Sequence, residues 1–393
     1  MLTFDEALAV LERTVTPLGT ERVALHQAAD RTLADDLMAA LDAPRTDVSI
    51  MDGYAVRSRD LDGTALRILG EARPGQPFDR PLDKYEAVRI FTGAPVPLHA
   101  DAVIMQEYAQ VQDARVSFKP GHGPDVHIRP RASDFKRGDV LLAACTRLTP
   151  QALLAAAAGD AETVLVGCMP RLAIIATGDE LVAPGQAGQT PHAIPDSAGI
   201  GVAALARRYG AQIVHAMRAG DDLDTLSKLA TQALNDADCV VVIGGASVGT
   251  HDLAKSMFAS AGLQLAFSTI AIKPGRPVWL GTARGVPVLG LPGNPTSALV
   301  CARVFLAPLL GLLQGGQLRR DLDFIPIPVA QDLLQNGTRE TFLRARLTPA
   351  GLALVDNRYS GAQAALAQAD WLVRRAPEAP AAPAGTLVHA LPL

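Results

Sequence analysis

Four apolar runs of the chain end in residues able to do chemistry. RLAIIAT (171–177) is followed by Gly178, Asp179 and Glu180, and AQIVHAMRAG (211–220) by Asp221. CVVVIGG (239–245) leads to Ser247, Gly249 and Asp252; VPVLGLP (286–292) closes on Pro292 before Gly293, Asn294, Pro295, Thr296 and Ser297. Three of these ends deliver a carboxylate, and two deliver a glycine-rich turn into the start of a helix. Such a turn leaves backbone N–H groups free and suits phosphate. Carboxylates beside bound phosphate repel it unless a cation lies between them, and Mg²⁺ is usually held by one or two carboxylates plus substrate phosphates. The loop around Ser247 and Gly249 is therefore expected to hold phosphate, and Asp252, with Glu180 or Asp221, to hold Mg²⁺. Just beyond, IKPGRP (272–277) offers Lys273 and Arg276 around a Pro-Gly turn, a pair suited to an anion.

Plainer readings exist for each residue taken singly. Asp252 and Asp221 fit as caps of the helices that follow them, and Thr296 and Ser297 fit as N-caps. Ser247, framed as G-x-S-x-G, invites a hydrolase reading. A nucleophile elbow requires an acid and then a histidine later in the chain. Only His251 and His389 follow Ser247, so that reading fails. What caps do not require is acids on several neighbouring strand ends facing one crevice.

A second constellation lies earlier, in APRTDVSIMDGYAVR (43–57) and RIFTGAPVPLHADAVIMQE (89–107). Asp47 and Asp52 flank Met51, Asp52-Gly53 reads as a turn entering a strand, and Thr92-Gly93 opens a loop stiffened by two prolines. These are ordinary turn signals, but a rigid loop bearing Asp or Thr is also how a site is presented.

The elements that must position these residues follow from periodicity. Residues 1–40 read as helical. They open on an amphipathic helix in which Thr3 and Glu6 have capping-box spacing and Phe4, Leu8 and Leu11 share a face. Short β-type runs separated by Gly and Pro then predict an antiparallel or mixed β module. TRLTPQALLAAAAGDAETVLVG (146–167) returns to helix, with Thr149 as N-cap and Pro150 at the first helical position. From 171 to 313 strands alternate with helices at about 197–209, 222–236 and 252–261 and one after Pro295, and the strand runs are apolar on both faces. That pattern predicts a doubly wound, mostly parallel α/β sheet. The expected division is 1–41 plus 140–170 as a helical linker domain, 42–139 as a β-rich module, 171–316 as the α/β domain and 317–393 as a small C-terminal β domain.

At 393 residues the chain exceeds what one hydrophobic core fills, so several domains are expected. A net charge of −4 provides no general positive field for nucleic acid or a membrane surface, and neither is expected as a partner. Cys145, Cys168, Cys239 and Cys301 lie far apart and read as the reduced, mostly buried thiols of a cytoplasmic protein. MLTFDEALAVLER carries acids where a secretion signal needs cations. The most apolar stretch, SALVCARVFLAPLLGLL (297–313), is interrupted by Arg303 and Pro308 and reads as a core helix.

Seven stretches, in order, carry a family resemblance: SIMDGYAVR, RIFTGAPVP, HIRPRASDFKRGDVLLAACTRLTP, IIATGDELVAPG, IGGASVGTHD, IKPGRP and GLPGNPTSA. Together they resemble the MoeA-type molybdopterin molybdenumtransferases, a family that includes the gephyrin C-terminal region. The resemblance implies an elongated, multi-domain homodimer that inserts molybdate into adenylylated molybdopterin and releases AMP with Mg²⁺ assistance. It also implies a cleft between the α/β domain of one subunit and the β module of the other. Matched by motif, Asp52 and Thr92 take the family's functional positions in the β module, and Arg129 and Asp134 its charged pair there. Glu180, Asp221 and Asp252 match its acids and metal ligands, Lys273 its lysine before Pro-Gly, and Ser247, Gly249, Arg276, Pro292 and Asn294 fall in its substrate-binding stretches. In the less similar C-terminal region, Arg344 and Ser360 align with molybdate-site residues. Thr269 stands where some members carry a second lysine, and Asp370 where many have Asn. The implied partners are a molybdopterin adenylyltransferase and the apo-molybdoenzymes. The alternatives are a non-catalytic or altered molybdopterin-binding paralogue and the adenylyltransferase itself, which is normally much shorter.

Overall fold

The computed structural model describes residues 1–123, 125–245, 253–355 and 362–393. Its centre is a six-stranded sheet in the order Gln212–Ala219, Arg171–Thr177, Cys239–Ile243, Val286–Leu291, Trp279–Ala283, Gln264–Phe267. The first four strands run parallel, and the last two join through antiparallel pairings. Successive residues of one strand enter different cores, because side chains alternate between the faces of a sheet. Leu172, Ile174, Val241 and Ile243 pack with the helices Ser197–Arg208 and Phe4–Thr14. Ala173, Ile175, Val240 and Val242 pack instead with Leu223–Asp236, Met257 and Phe258. Covered on both faces, the sheet is doubly wound and mostly parallel as expected, with an antiparallel edge.

The apolar stretch after Pro295 is not broken. Pro295–Leu313 is one helix, long and apolar enough to cross a membrane by composition, yet 94% of its most apolar window is buried inside the protein. Pro308 has no N–H to donate, and the helix accommodates it with a π segment, Ala302–Leu306, ahead of the turn holding it. Arg303, in that segment, is buried and donates to the carbonyls of Pro392 and Asp321.

The first forty residues correct the helical expectation. Only Phe4–Thr14 is α-helical, with its capping box formed as the sequence indicates, and Leu25–Gln27 adds a single 3-10 turn. Pro17 disfavours helix at the residue before it, and Thr20–Ala24 becomes a strand paired antiparallel with Thr163–Gly167. The helix after Thr149 spans Pro150–Ala158 and stops there, so residues 163–167 are strand, not helix. The first helix packs in the α/β core, where Phe4 meets Phe305 and Phe342 edge-on, whereas Ala28 and Leu33 share a separate core with Leu148, Ala152 and Val164.

The β-rich module is a mixed six-stranded sheet in which Gly53–Val56 lies between Glu86–Ile90 and Ala102–Met105. The last sheet gathers strands from Ile325 to Pro392 and takes in one short strand from elsewhere: Ile272–Lys273 pairs in parallel with Glu340–Thr348.

Candidate active site

At the carboxyl ends of the parallel strands lies a cavity of about 370 Å³. An open parallel sheet binds ligands at this place. Glu180 and Asp221 line it together with Thr177, Ser197, Gly244 and Gly293. Two of the expected acids are thus brought into one crevice. Ser247, Gly249, Asp252 and Ser360 lie outside the described residues.

The acids sit close because the loops are built around them. Gly178, at φ 150°, is where the chain folds back: a Cβ there would lie 2.6 Å from the Glu180 Oε2. The neighbouring strand contributes Asp221, whose backbone N–H donates to Asp179 Oδ1 at 2.9 Å. Partial burial raises the Asp221 carboxyl above its ordinary value, and the negative charges of Asp179 and Glu180 push it the same way. Among the described residues, no group of three His, Cys, Asp or Glu side chains is arranged to hold a metal ion.

Two capping expectations change here. The helix Leu223–Asp236 is capped by Asp222, which accepts from Thr225 N–H at 2.8 Å, so Asp221 is released from that duty. The helix after Gly293 is capped by Asn294, which accepts from the N–H groups of Thr296 and Ser297, not by those residues. Both replacements have the same cause: a cap must sit one residue before the first helical one with extended backbone. The Thr296 hydroxyl is left buried with no hydrogen-bond partner, as are those of Thr177 and Ser197. The sequence marks Thr296 only as a cap and does not mark Thr177 or Ser197. Thr177 stands at a strand end beside the acids, which is the one signal that could have marked it.

The second constellation is assembled in the β-rich module. Asp52 precedes the strand Gly53–Val56, whose neighbour ends just before Thr92. Asp52 Oδ1 accepts from both the backbone N–H and the hydroxyl of Thr92, each at 2.8 Å. The Thr92 N–H, its hydroxyl and the charge of Arg89 hold the Asp52 carboxyl below its ordinary value. Arg129 pairs with Val48 across a short ladder, and its guanidinium lies 3.4 Å from Asp134. Gly93 N–H donates to Ser49 O at 2.8 Å, tying the Thr92 loop to that ladder.

Neither this corner nor the basic group contributes to the cavity wall. Lys273 and Arg276 are exposed on the turn that leads from the α/β domain onto the C-terminal sheet. Arg344 lies three residues beyond Thr341, the partner of Lys273, and burial lowers its guanidinium pKa. Pro292 is buried at the end of its strand, between the sheet and the Gly293 turn. Among the described residues, no strand of the β-rich module packs extensively against the α/β sheet or its helices. Within one chain, the Asp52–Thr92 corner is thus no part of the strand-end cavity wall.

Comparison with known proteins adds three findings. Residues 2–159 match the MoeA N-terminal region (domain I and II), and residues 173–311 match a probable molybdopterin binding domain. The chain is 38% identical to a molybdopterin molybdenumtransferase of Haemophilus influenzae over 80% of its length and 78% of the relative's. It is 30% identical to one of Staphylococcus aureus over 94% and 90%. A molybdopterin biosynthesis MoeA protein from Pyrococcus horikoshii superposes with a TM-score of 0.78 at 29% identity, covering all of this chain and 99% of that one.

Proposed function

The chain belongs to the molybdopterin molybdenumtransferase family of molybdenum cofactor biosynthesis, and from that premise we propose that it inserts molybdate into adenylylated molybdopterin, releasing AMP. One observation carries the reading: crowded carboxylates, unpartnered hydroxyls and glycine backbone meet around a single strand-end cavity. Its volume lies in the range of small-molecule sites.

Mg²⁺ fits the acids present. The donors are all oxygen, as a hard cation prefers, and Asp221 already stands under repulsion that a cation would relieve. Glu180 and Asp221 would hold it, with Asp252 as the third ligand. When bound, it supplies Lewis-acid polarisation of the phosphoanhydride. The protein's own contribution is placement. The glycine turns seat the pyrophosphate, and Lys273, Arg276 and Arg344, with Ser360, hold molybdate beside the dithiolene sulfurs. Proximity then supplies much of the rate.

The Asp52–Thr92 corner and the Arg129–Asp134 pair complete the cleft from a second copy of the chain. Their absence from the cavity wall within one chain supports a homodimer. A molybdopterin adenylyltransferase would hand over the substrate and apo-molybdoenzymes would take the product, in the cytoplasm.

The test is direct. Purified protein mixed with molybdate, Mg²⁺ and adenylylated molybdopterin is expected to release AMP, followed by chromatography, and to omit it when molybdate is left out. Pterin binding without AMP release would replace the enzyme with a scaffold and sink the proposal.

A further inference from the structure

Asp179 is absent from the cavity wall and from the residues assigned a role above, yet it touches the loop that carries Asp221. Its Oδ1 accepts the Asp221 backbone N–H at 2.9 Å, bridging the turns after two adjacent strands. Below that bridge the strands are joined in register through Thr177 and Ala219, and Gly178 N–H donates to Ala219 O at 3.0 Å. The ladder ends there, and the Asp179 carboxylate continues the connection one residue further. Gly220 makes room for it: a Cβ on Gly220 would lie 2.4 Å from Asp179 Oδ1, and, its two chain neighbours aside, no other described residue comes as close.

We infer that Asp179 is a positioning residue: its carboxylate clasps the Asp221 amide over the bare Cα of Gly220, and this fixes the Asp221 side chain opposite Glu180. The inference rests on the proposed function only for what the site does; the clasp itself is a statement about two loops. An exposed hydrogen bond adds little to overall stability. Its value lies in orientation, since misplacing a reacting group by an ångström costs on the order of 100-fold in rate.

Three variants separate the clasp from simple charge. Asp179→Ala removes the acceptor. Asp179→Asn keeps an acceptor oxygen and removes the charge. Gly220→Ala keeps every carboxylate but drives a methyl into the Asp179 oxygen. The expected result is that Asp179→Ala and Gly220→Ala each lower turnover in AMP release by on the order of 100-fold, with KM for molybdate unchanged, whereas Asp179→Asn stays near wild type. In the double variant Asp179→Ala/Gly220→Ala the losses do not multiply, because the methyl no longer has an oxygen to displace. Hydrogen–deuterium exchange of the peptide containing Asp221 provides the second readout: faster exchange in Asp179→Ala and Gly220→Ala, wild-type exchange in Asp179→Asn. Equal damage from Asp179→Asn and Asp179→Ala, multiplying losses in the double variant, or identical exchange in all the proteins would each overturn the clasp. A wild-type protein that releases no AMP would count against the proposed function alone, and the exchange pattern would still decide this point.

Discussion

The acids at the strand ends and the acid of the β-rich module are the same chemical group in opposite circumstances. Asp52 is satisfied within its own module: Thr92 gives it two hydrogen bonds and Arg89 adds positive charge, so its carboxyl is held below its ordinary value. Asp221 has the reverse surroundings, with partial burial and two like charges holding its carboxyl up. The first is a finished arrangement that offers a fixed acceptor. The second is crowded: burial and neighbouring negative charge act on it together.

That contrast breaks most visibly if either acid is removed. Asp52→Ala and Glu180→Ala are each expected to lower AMP release by about 100-fold or more while leaving circular dichroism unchanged. Full activity in both variants would dissolve the site. Asp221→Asn sharpens the contrast through pH. A carboxyl whose folded-state pKa is raised costs nothing at pH values where it is protonated in both states; the cost enters as pH rises through the ordinary carboxylate range toward the raised value. Asp221→Asn should therefore raise the midpoint of thermal unfolding at neutral pH, with the gain disappearing in acid, while turnover falls. The sign for Asp52 is opposite. Its lowered pKa stabilises the fold above the ordinary carboxylate range, and that contribution is lost as pH falls through the folded-state value. Thr92→Val, which deletes one of the two hydrogen bonds, should then shift acid unfolding to higher pH. The smallest effect is expected from Thr177→Val. It replaces an unpartnered buried hydroxyl by a methyl and should stabilise the protein by about 1 kcal/mol, read from urea unfolding; a loss of stability would mean that the hydroxyl is satisfied after all.

Much of the frame was legible in the amino-acid order because it is local. Residues 171–177 and 239–243 are apolar on both faces, which only a sheet covered on both sides requires, and Leu172 and Ala173 do enter different cores. Thr3 with Glu6 and Thr149 with Pro150 announced their helices because a cap is a short-range device. What was not legible depends on neighbours distant in sequence. Adjacent acids such as Asp221 and Asp222 are alike in type, and only the backbone conformation decides which one caps. Residues 20–24 form a strand because residues 163–167 lie beside them, a pairing nothing in TERVA declares. Of the site, the acids on three strand ends could be named in advance, but not that the bare Cα atoms of Gly178 and Gly220 make room for two carboxylates. Nor could the absence of the β-rich module from the cavity wall be foreseen from composition.

The short strand Ile272–Lys273 belongs by sequence to the α/β domain and by hydrogen bonding to the sheet that ends at Pro392. The Lys273 ammonium group is consequently tied to the C-terminal unit, so any displacement of that unit relative to the central sheet would carry the lysine with it.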